Sequence, residues 1–332
     1  NSSYNTSSKV LTLNSSNTGD TWYAVTSKAV TITFDKNGAS SIGATSRSCT
    51  MYNTNTSCSI TSPTITASSN TPTVIGWSTA ADTHSNQWSQ NTAKSVSAND
   101  TYYAQTSKAA KTVTITFNKN GATSQTPSGG SASTATTVNS SCTIAATYNG
   151  VAQASTCNVT SPKITASTNT PTVVGYSTSA SGTSSSWNQS TAKAVSSNAT
   201  YYAITKKDAK TITITFNKNG ASSVSDTSKS CTIAATYNGT AQATSCSVTS
   251  PTITAASGFS VLGFNTSTSS TSSAWSQNTA KSVSANDTYY AVTRSSSQYT
   301  GTFNANGATI GSTSQSCYRY NGASSCNITT PS

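Results

Sequence analysis

One nonapeptide recurs four times, as VTITFDKNG at 30–38, VTITFNKNG at 113–121, ITITFNKNG at 212–220 and YTGTFNANG at 299–307. A chain that repeats its sequence repeats its fold, so a string of small units is expected rather than one large core. Phe34, Phe117, Phe216 and Phe303 are equivalent and lie 83, 99 and 87 residues apart. Length changes in loops account for the unequal spacing, because loops absorb insertions that strands do not.

After the nonapeptide each copy runs through Ser-Pro-x-Ile-Thr-Ala, from Ser62, Ser161 and Ser250, to Gly76-Trp77, Gly175-Tyr176 or Gly263-Phe264. A lone Trp follows at 88, 187 and 275, a Lys six residues later at 94, 193 and 281, and the copy closes on Tyr-Tyr-Ala at 102–104, 201–203 and 289–291. These landmarks divide the chain into repeats at 29–108, 109–207 and 208–294. Residues 1–28 match only the closing part of a repeat and 295–332 only the opening part, so a stretch of a longer array is expected.

Val113, Ile115 and Phe117 alternate with Thr112, Thr114 and Thr116, the period of a strand with one buried face. The expected core aromatics are Phe34, Trp77, Trp88 and Tyr103 in the first repeat, Phe117, Tyr176, Trp187 and Tyr202 in the second, Phe216, Phe264, Trp275 and Tyr290 in the third, and Phe303 in the last segment. The expectation is a mainly β fold with at most one short helix per repeat, at a stretch such as Ser89 to Ser95.

The eight cysteines form four local pairs, Cys49/Cys58, Cys142/Cys157, Cys231/Cys246 and Cys317/Cys326, and each pair is bisected by a turn dipeptide. Those dipeptides are Asn53-Thr54, Asn149-Gly150, Asn238-Gly239 and Asn321-Gly322. Asn-Gly favours a type I′ turn, since both central residues need positive φ. Folding back about each turn predicts a β-hairpin stapled by a cross-strand disulfide, with Cα atoms about 4.5 Å apart in the shorter pairs and about 5.5 Å in the longer. Disulfides require an oxidising compartment, so an extracellular or surface location follows.

Ser and Thr make up about two residues in five and charged residues only 8%, with Glu absent. That composition suits exposed strand surface better than helix. The net charge of +11 is scattered and forms no basic run to follow a phosphate backbone, so nucleic acid is not an expected partner. No apolar stretch reaches membrane-spanning length. The titratable inventory is poor for catalysis, with one His and seven Asp, and neither a cofactor nor a metal site is expected. His84 reads as a solvated loop residue.

TFDKNG at 33–38, Gly76-Trp77-Ser78-Thr79, Trp88 and Tyr102-Tyr103-Ala104, with their counterparts in the following repeats, resemble the Listeria–Bacteroides repeats related to internalin B-repeats. The chain departs from that pattern at Ala39, in lacking the usual closing Trp, and in its cysteine pairs. The resemblance implies a compact β-grasp-like module, in tandem, with no activity of its own, on a bacterial surface protein. The function expected is therefore a non-enzymatic stalk, fibre or matrix element with adhesion as an added role. Its expected partners are neighbouring repeats of the same chain, copies of itself in fibres, and host or envelope glycans. Two rival readings follow from single residues. Trp88, Trp187 and Trp275 could stack on sugars as a lectin-like repeat, and Lys36, Lys119 or Lys218 could enter a Lys–Asn crosslink beside a buried carboxylate.

Overall fold

The computed structural model describes residues 3–5, 10–12, 21 and 23–332. Two short strands, β1 (Ser3–Asn5) and β2 (Val10–Thr12), pair antiparallel ahead of the first repeat. That repeat is built from β3 (Ser27–Asp35), β4 (Ser41–Ile42), β5 (Ser46–Tyr52), β6 (Cys58–Thr61), β7 (Ile65–Thr66), β8 (Thr73–Ser78), β9 (Ala93–Val96) and β10 (Asp100–Lys108). No helix occurs among the described residues. Its main sheet runs β5-β3-β10-β8, with a parallel central pair, β3 and β10, flanked by antiparallel neighbours. Two small ladders, β4 with β7 and β6 with β9, close over the inner face.

The alternation read from the sequence sets that inner face: Val30, Ile32 and Phe34 are buried on β3, as are Ile212, Ile214 and Phe216 in the third repeat. Phe34 lies 4.8 Å from Trp77 and 5.6 Å from Trp88 between ring centroids, and Trp88 meets Tyr102 edge-on at 5.1 Å. The same quartet recurs as Phe117, Tyr176, Trp187 and Tyr201, and as Phe216, Phe264, Trp275 and Tyr289. Such aromatic contacts add to simple burial through their edge-to-face geometry.

Several expectations are corrected. The buried tyrosine of each closing pair is the first, Tyr102, Tyr201 and Tyr289 at 6%, 9% and 7% exposure, while Tyr103, Tyr202 and Tyr290 are half-buried. The parallel register decides this, because Tyr102 stands beside Phe34 and shares its face, whereas Tyr103 stands beside Asp35. Phe303 is half-buried, and no Trp stands beside its ring among the described residues. The stretch from Ser89 to Ser95 is a turn leading into β9: Asn91 takes φ 58°, and the Ser89 carbonyl is taken by the Thr92 and Ser62 hydroxyls at 2.6 and 2.7 Å. These side-chain bonds occupy the group a helix would need.

The cysteines bond in the expected pairs, but their arms form no hairpin ladder. Cys49 on β5 belongs to the main sheet, where β5 pairs with β3, while Cys58 on β6 pairs with Val96 on β9. The longer pairs are corrected in the same way. Cys157 does not face Cys142 across a ladder; it begins the strand Cys157–Thr160, whose partner is Ala192–Val195. Cys231 stands opposite Ile212 in the main sheet of the third repeat, while Cys246 begins the strand Cys246–Thr249 and stands opposite Val283. In these three repeats the disulfide thus joins two sheets. The Cα separations are 6.0 Å for the short pairs, the Cys317/Cys326 pair included, and 5.9 Å for the long ones. The arms separate because each finds its ladder elsewhere. The six additional residues of the longer pairs leave the bridge unchanged, since they extend only the loop between the arms.

The chain divides into two compact units, one of Asn1–Thr114, Ser141–Asn158 and Ala194–Ser197, the other of Ile115–Ser140, Val159–Lys193 and Asn198–Ser332. The second repeat is shared between them. Its cysteine loop, 141–158, belongs with the first repeat, and the reason lies in where the Asn149-Gly150 turn docks.

Candidate functional site

The second repeat begins with β11 (Lys111–Asn118), β12 (Ser124–Thr126), β13 (Thr137–Ile144) and β14 (Thr147–Tyr148). β14 pairs antiparallel with the end of β10, Tyr148 opposite Ser107 and Thr147 opposite Lys108, so the cysteine loop of one repeat adds an edge strand to the repeat before it. The turn that follows is type I′, with Asn149 at φ 50°, Gly150 at φ 80° and the Val151 N–H donating to the Tyr148 carbonyl at 3.0 Å. It docks against another type I′ turn, Asn37-Gly38 at φ 42° and 83°, which ends the TFDKNG motif. The approach is so close that a Cβ on Gly38 would collide with the Asn149 carbonyl. Glycine is required there both for its φ and for the missing side chain.

Amide side chains close the clasp. Asn37 donates both amide hydrogens to carbonyls, of Ala81 at 2.8 Å and Ala104 at 3.0 Å. Asn149 donates to the Ala81 carbonyl at 2.8 Å and to Gln105 Oε1 at 3.2 Å, and its own Oδ1 accepts the Thr106 N–H at 3.1 Å. The Gly150 N–H donates to Thr71 Oγ1 at 3.0 Å, Asn70 donates to the Gly150 carbonyl at 3.0 Å, and the buried Thr71 and Thr106 hydroxyls share a bond of 2.8 Å. Each of these polar groups finds a partner, as a low-dielectric setting demands.

The clasp is made again. Asn120-Gly121 receives Asn238-Gly239: Asn120 donates to the Ala180 and Ala203 carbonyls, Asn238 to Ala180, the Gly239 N–H to Thr170, and Asn169 to the Gly239 carbonyl. Asn219-Gly220 receives Asn321-Gly322, with Asn219 donating to Thr268 and Ala291 and Asn321 to Thr268 and Ser270. Asn53-Thr54 departs from the pattern. Asn53 takes φ 52° but Thr54 does not enter the left-handed region, as expected of a β-branched residue, so this turn is not type I′. Its Asn53 N–H still donates to the Thr26 carbonyl at 2.9 Å, the counterpart of Asn149 to Thr106 at 3.0 Å.

The expectation from the sequence assigned the Asn-Gly dipeptides to chain reversal alone. Their docking role was missed, although Asn-Thr-Pro-Thr recurs at 70–73 and 169–172, where it supplies the Asn and Thr of the receiving side. The longer cysteine loops also carry Gln153 and Gln242, which reach back to the Ala109 and Asp208 carbonyls, both at 2.8 Å.

The remaining candidates are placed as follows. Trp88, Trp187 and Trp275 are 4–5% exposed, and each indole donates to a carbonyl, of Thr92, Thr191 and Thr279, at 3.0 Å. Lys94, Lys193 and Lys281 lie over the paired Trp and Tyr rings at 4.9–5.5 Å, a cation–π contact that further covers the indoles. Tyr176, in the place of Trp77, accepts from Gln125 Nε2 at 3.0 Å, and burial pushes its hydroxyl well above the usual phenol range. Lys36 and Lys218 are exposed, and Lys119 donates to the Thr134 carbonyl at 2.8 Å, so none of the three stands in a buried crosslink site. His84 is exposed, with its ring stacked on Tyr148 at 3.9 Å beside a cavity of 380 Å³ that Asp82 and Asn37 also line. Among the described residues no cluster of His, Cys, Asp and Glu suits a metal ion, and no helix is long and apolar enough to cross a membrane. Four disulfides and no free cysteine suit an oxidising, extracellular setting. No family model, curated protein or solved structure matches the chain.

Proposed function

We propose that this chain is part of a non-enzymatic extracellular structural protein, a stalk, fibre or matrix element at a bacterial cell surface, built of β-grasp-like repeats akin to the Listeria–Bacteroides modules. The observation that carries the reading is the clasp, made three times between successive repeats by equivalent residues. A ligand site needs to occur once, whereas a contact repeated at every boundary serves the continuity of the chain. The mixed sheet with its parallel central pair supports the β-grasp comparison. Paired outward hydroxyls, Thr31 with Ser48, Thr213 with Ser230 and Thr300 with Ser316, supply a neutral, hydrated exterior. Adhesion and lateral association into fibres belong to the same proposal. The buried indoles argue against the lectin-like alternative, because sugar stacking needs an open ring face. Electron microscopy of native material should show extended threads or stalks. Compact single particles in their place would overturn the reading, and glycan-array binding abolished by Trp187→Ala in a folded protein would replace it with the lectin-like one.

A further inference from the structure

The first and last strands of each repeat are its parallel pair. Residues 32–35 on β3 stand beside 100–103 on β10, and the same four-residue overlap sets 115–118 beside 199–202 and 214–217 beside 287–290. The chain enters a repeat at the start of the first strand and leaves at the end of the last, with only two residues between Lys108 and Lys111 and between Lys207 and Lys210. Because the two strands run the same way, their entry and exit ends project from opposite sides of the overlap. Tension along the chain therefore slides one strand past the other and strains every bond of the shared ladder at once. An antiparallel pair pulled at one end would instead lose its bonds one after another. Asparagines lengthen the ladder beyond the overlap. On the entry side the Thr31 N–H donates to Asn99 Oδ1 at 2.8 Å, and the Thr213 N–H to Asn286 Oδ1 at 2.9 Å. On the exit side Asn37, Asn120 and Asn219 donate to the carbonyls of Ala104, Ala203 and Ala291, each at 3.0 Å.

We propose that the parallel ladder between the first and last strands, extended by these asparagines, is a shear clamp through which each repeat resists tension along the chain, and that the disulfides limit how far a ruptured repeat can extend. The role rests on the stalk reading above, which supplies the tension. While the ladder holds, force crosses from β3 to β10 and the rest of the repeat is spared. Once it gives way, force crosses the Cys49–Cys58 bridge and bypasses residues 50–57. In the longer loops it bypasses 143–156 and 232–245, the segments that hold the docked Asn149-Gly150 and Asn238-Gly239 turns. The turns that join successive repeats thus lie off the path of tension even in a repeat that has opened.

The test is single-molecule force spectroscopy of the whole oxidised chain at one loading rate, pulled once between handles on Asn1 and Ser332 and once between handles on Asn1 and Thr54. The second geometry peels β5 from β3, starting at the end where Ser27 faces Tyr52. End-to-end pulling is expected to rupture repeats at a force about twofold above peeling or more, since forced unfolding follows the unfolding rate and the whole ladder must fail together. Asn286→Ala should lower the rupture force of one repeat, whereas Asn169→Ala, which removes a bond to the Gly239 carbonyl away from any parallel ladder, should leave all of them unchanged. Reduction should lengthen the extension of a repeat with a long loop by roughly 50 Å, its cysteines being 15 residues apart at about 3.5 Å per residue. Equal or lower force in the end-to-end pull would overturn the clamp, as would a loss on Asn169→Ala as large as that on Asn286→Ala. Compact particles in electron microscopy would remove the stalk reading and leave these forces as they are, while extended threads whose repeats rupture at the peeling force would remove the clamp alone.

Discussion

The junctions at Asn149 and Asn238 and the junction at Asn321 use the same turn-on-turn contact but are fastened by different chemistry. In the first two, Asn70-Thr71 and Asn169-Thr170 grip the incoming glycine, and the buried Thr hydroxyl of the closing strand is satisfied. In the third, a shorter segment with Gly258 replaces the Asn-Thr pair, and the hydroxyl of Thr293 is left buried without a partner. Its cysteine loop is also the short form and has no counterpart of Gln153. Arginine and aromatic rings take over: Arg294 lies 4.5 Å from the Tyr318 ring, and Arg319 lies 5.5 Å from the Phe259 ring. The Ser295 N–H donates to the Arg319 carbonyl at 2.8 Å. All three share two facing glycines, two side-chain amides, and an incoming Asn that exchanges backbone bonds with Thr106, Thr205 or Thr293, its Oδ1 accepting the Thr N–H and its own N–H donating to the Thr carbonyl; what varies is the grip on the incoming glycine.

Placing a side chain between the turns should break all junctions alike. Gly121→Val and Gly220→Val are each expected to cost about 3 kcal/mol or more in urea unfolding, from left-handed strain plus overpacking. A neutral Gly220→Val would show that the third junction is held by its arginines alone. Removing a bridge by Cys→Ala at both positions should cost about 3 kcal/mol for Cys142/Cys157 and about 2.6 kcal/mol for Cys317/Cys326, in proportion to the logarithm of loop length. Thermal melts of the two double variants would order them.

Asn149→Ala should cost about 2 kcal/mol, because it removes two donors and strands the buried Thr106 N–H, and the loss should appear as faster exchange of that amide. The finest discrimination comes from the threonines. Thr71→Val should destabilise by about 1 kcal/mol by orphaning the Gly150 N–H, whereas Thr293→Val should be neutral or stabilising by up to about 1 kcal/mol, since it deletes a hydroxyl that already lacks a partner. Equal losses in denaturant midpoint for the two would erase the distinction drawn between the junctions.

Much of a repeat was legible in the chain. The alternation of Val30, Ile32 and Phe34, the local cysteine pairs and the absence of helical periodicity all follow from neighbours a few residues apart. Tyr102 against Tyr103 was not legible, because a doubled tyrosine satisfies either parity and only the parallel ladder with β3 selects one. The cysteine arms misled for a similar reason. Symmetry about Asn-Gly predicts that Cys157 and Cys246 pair with the arm across the turn, and nothing local shows that more distant strands compete for them.

By itself the sequence determined the strand period, the buried aromatic set apart from Phe303 and one tyrosine per repeat, and the positive-φ Asn-Gly turns, all of which depend on side-chain chemistry within a few residues. The tertiary structure alone decided that the Asn-Gly turn of each longer cysteine loop, and that at Asn321, docks on the repeat before it. That choice rests on atoms some 80 residues apart in the chain, as Asn70 is from Gly150, brought together because the facing glycines have no side chains to keep the backbones apart.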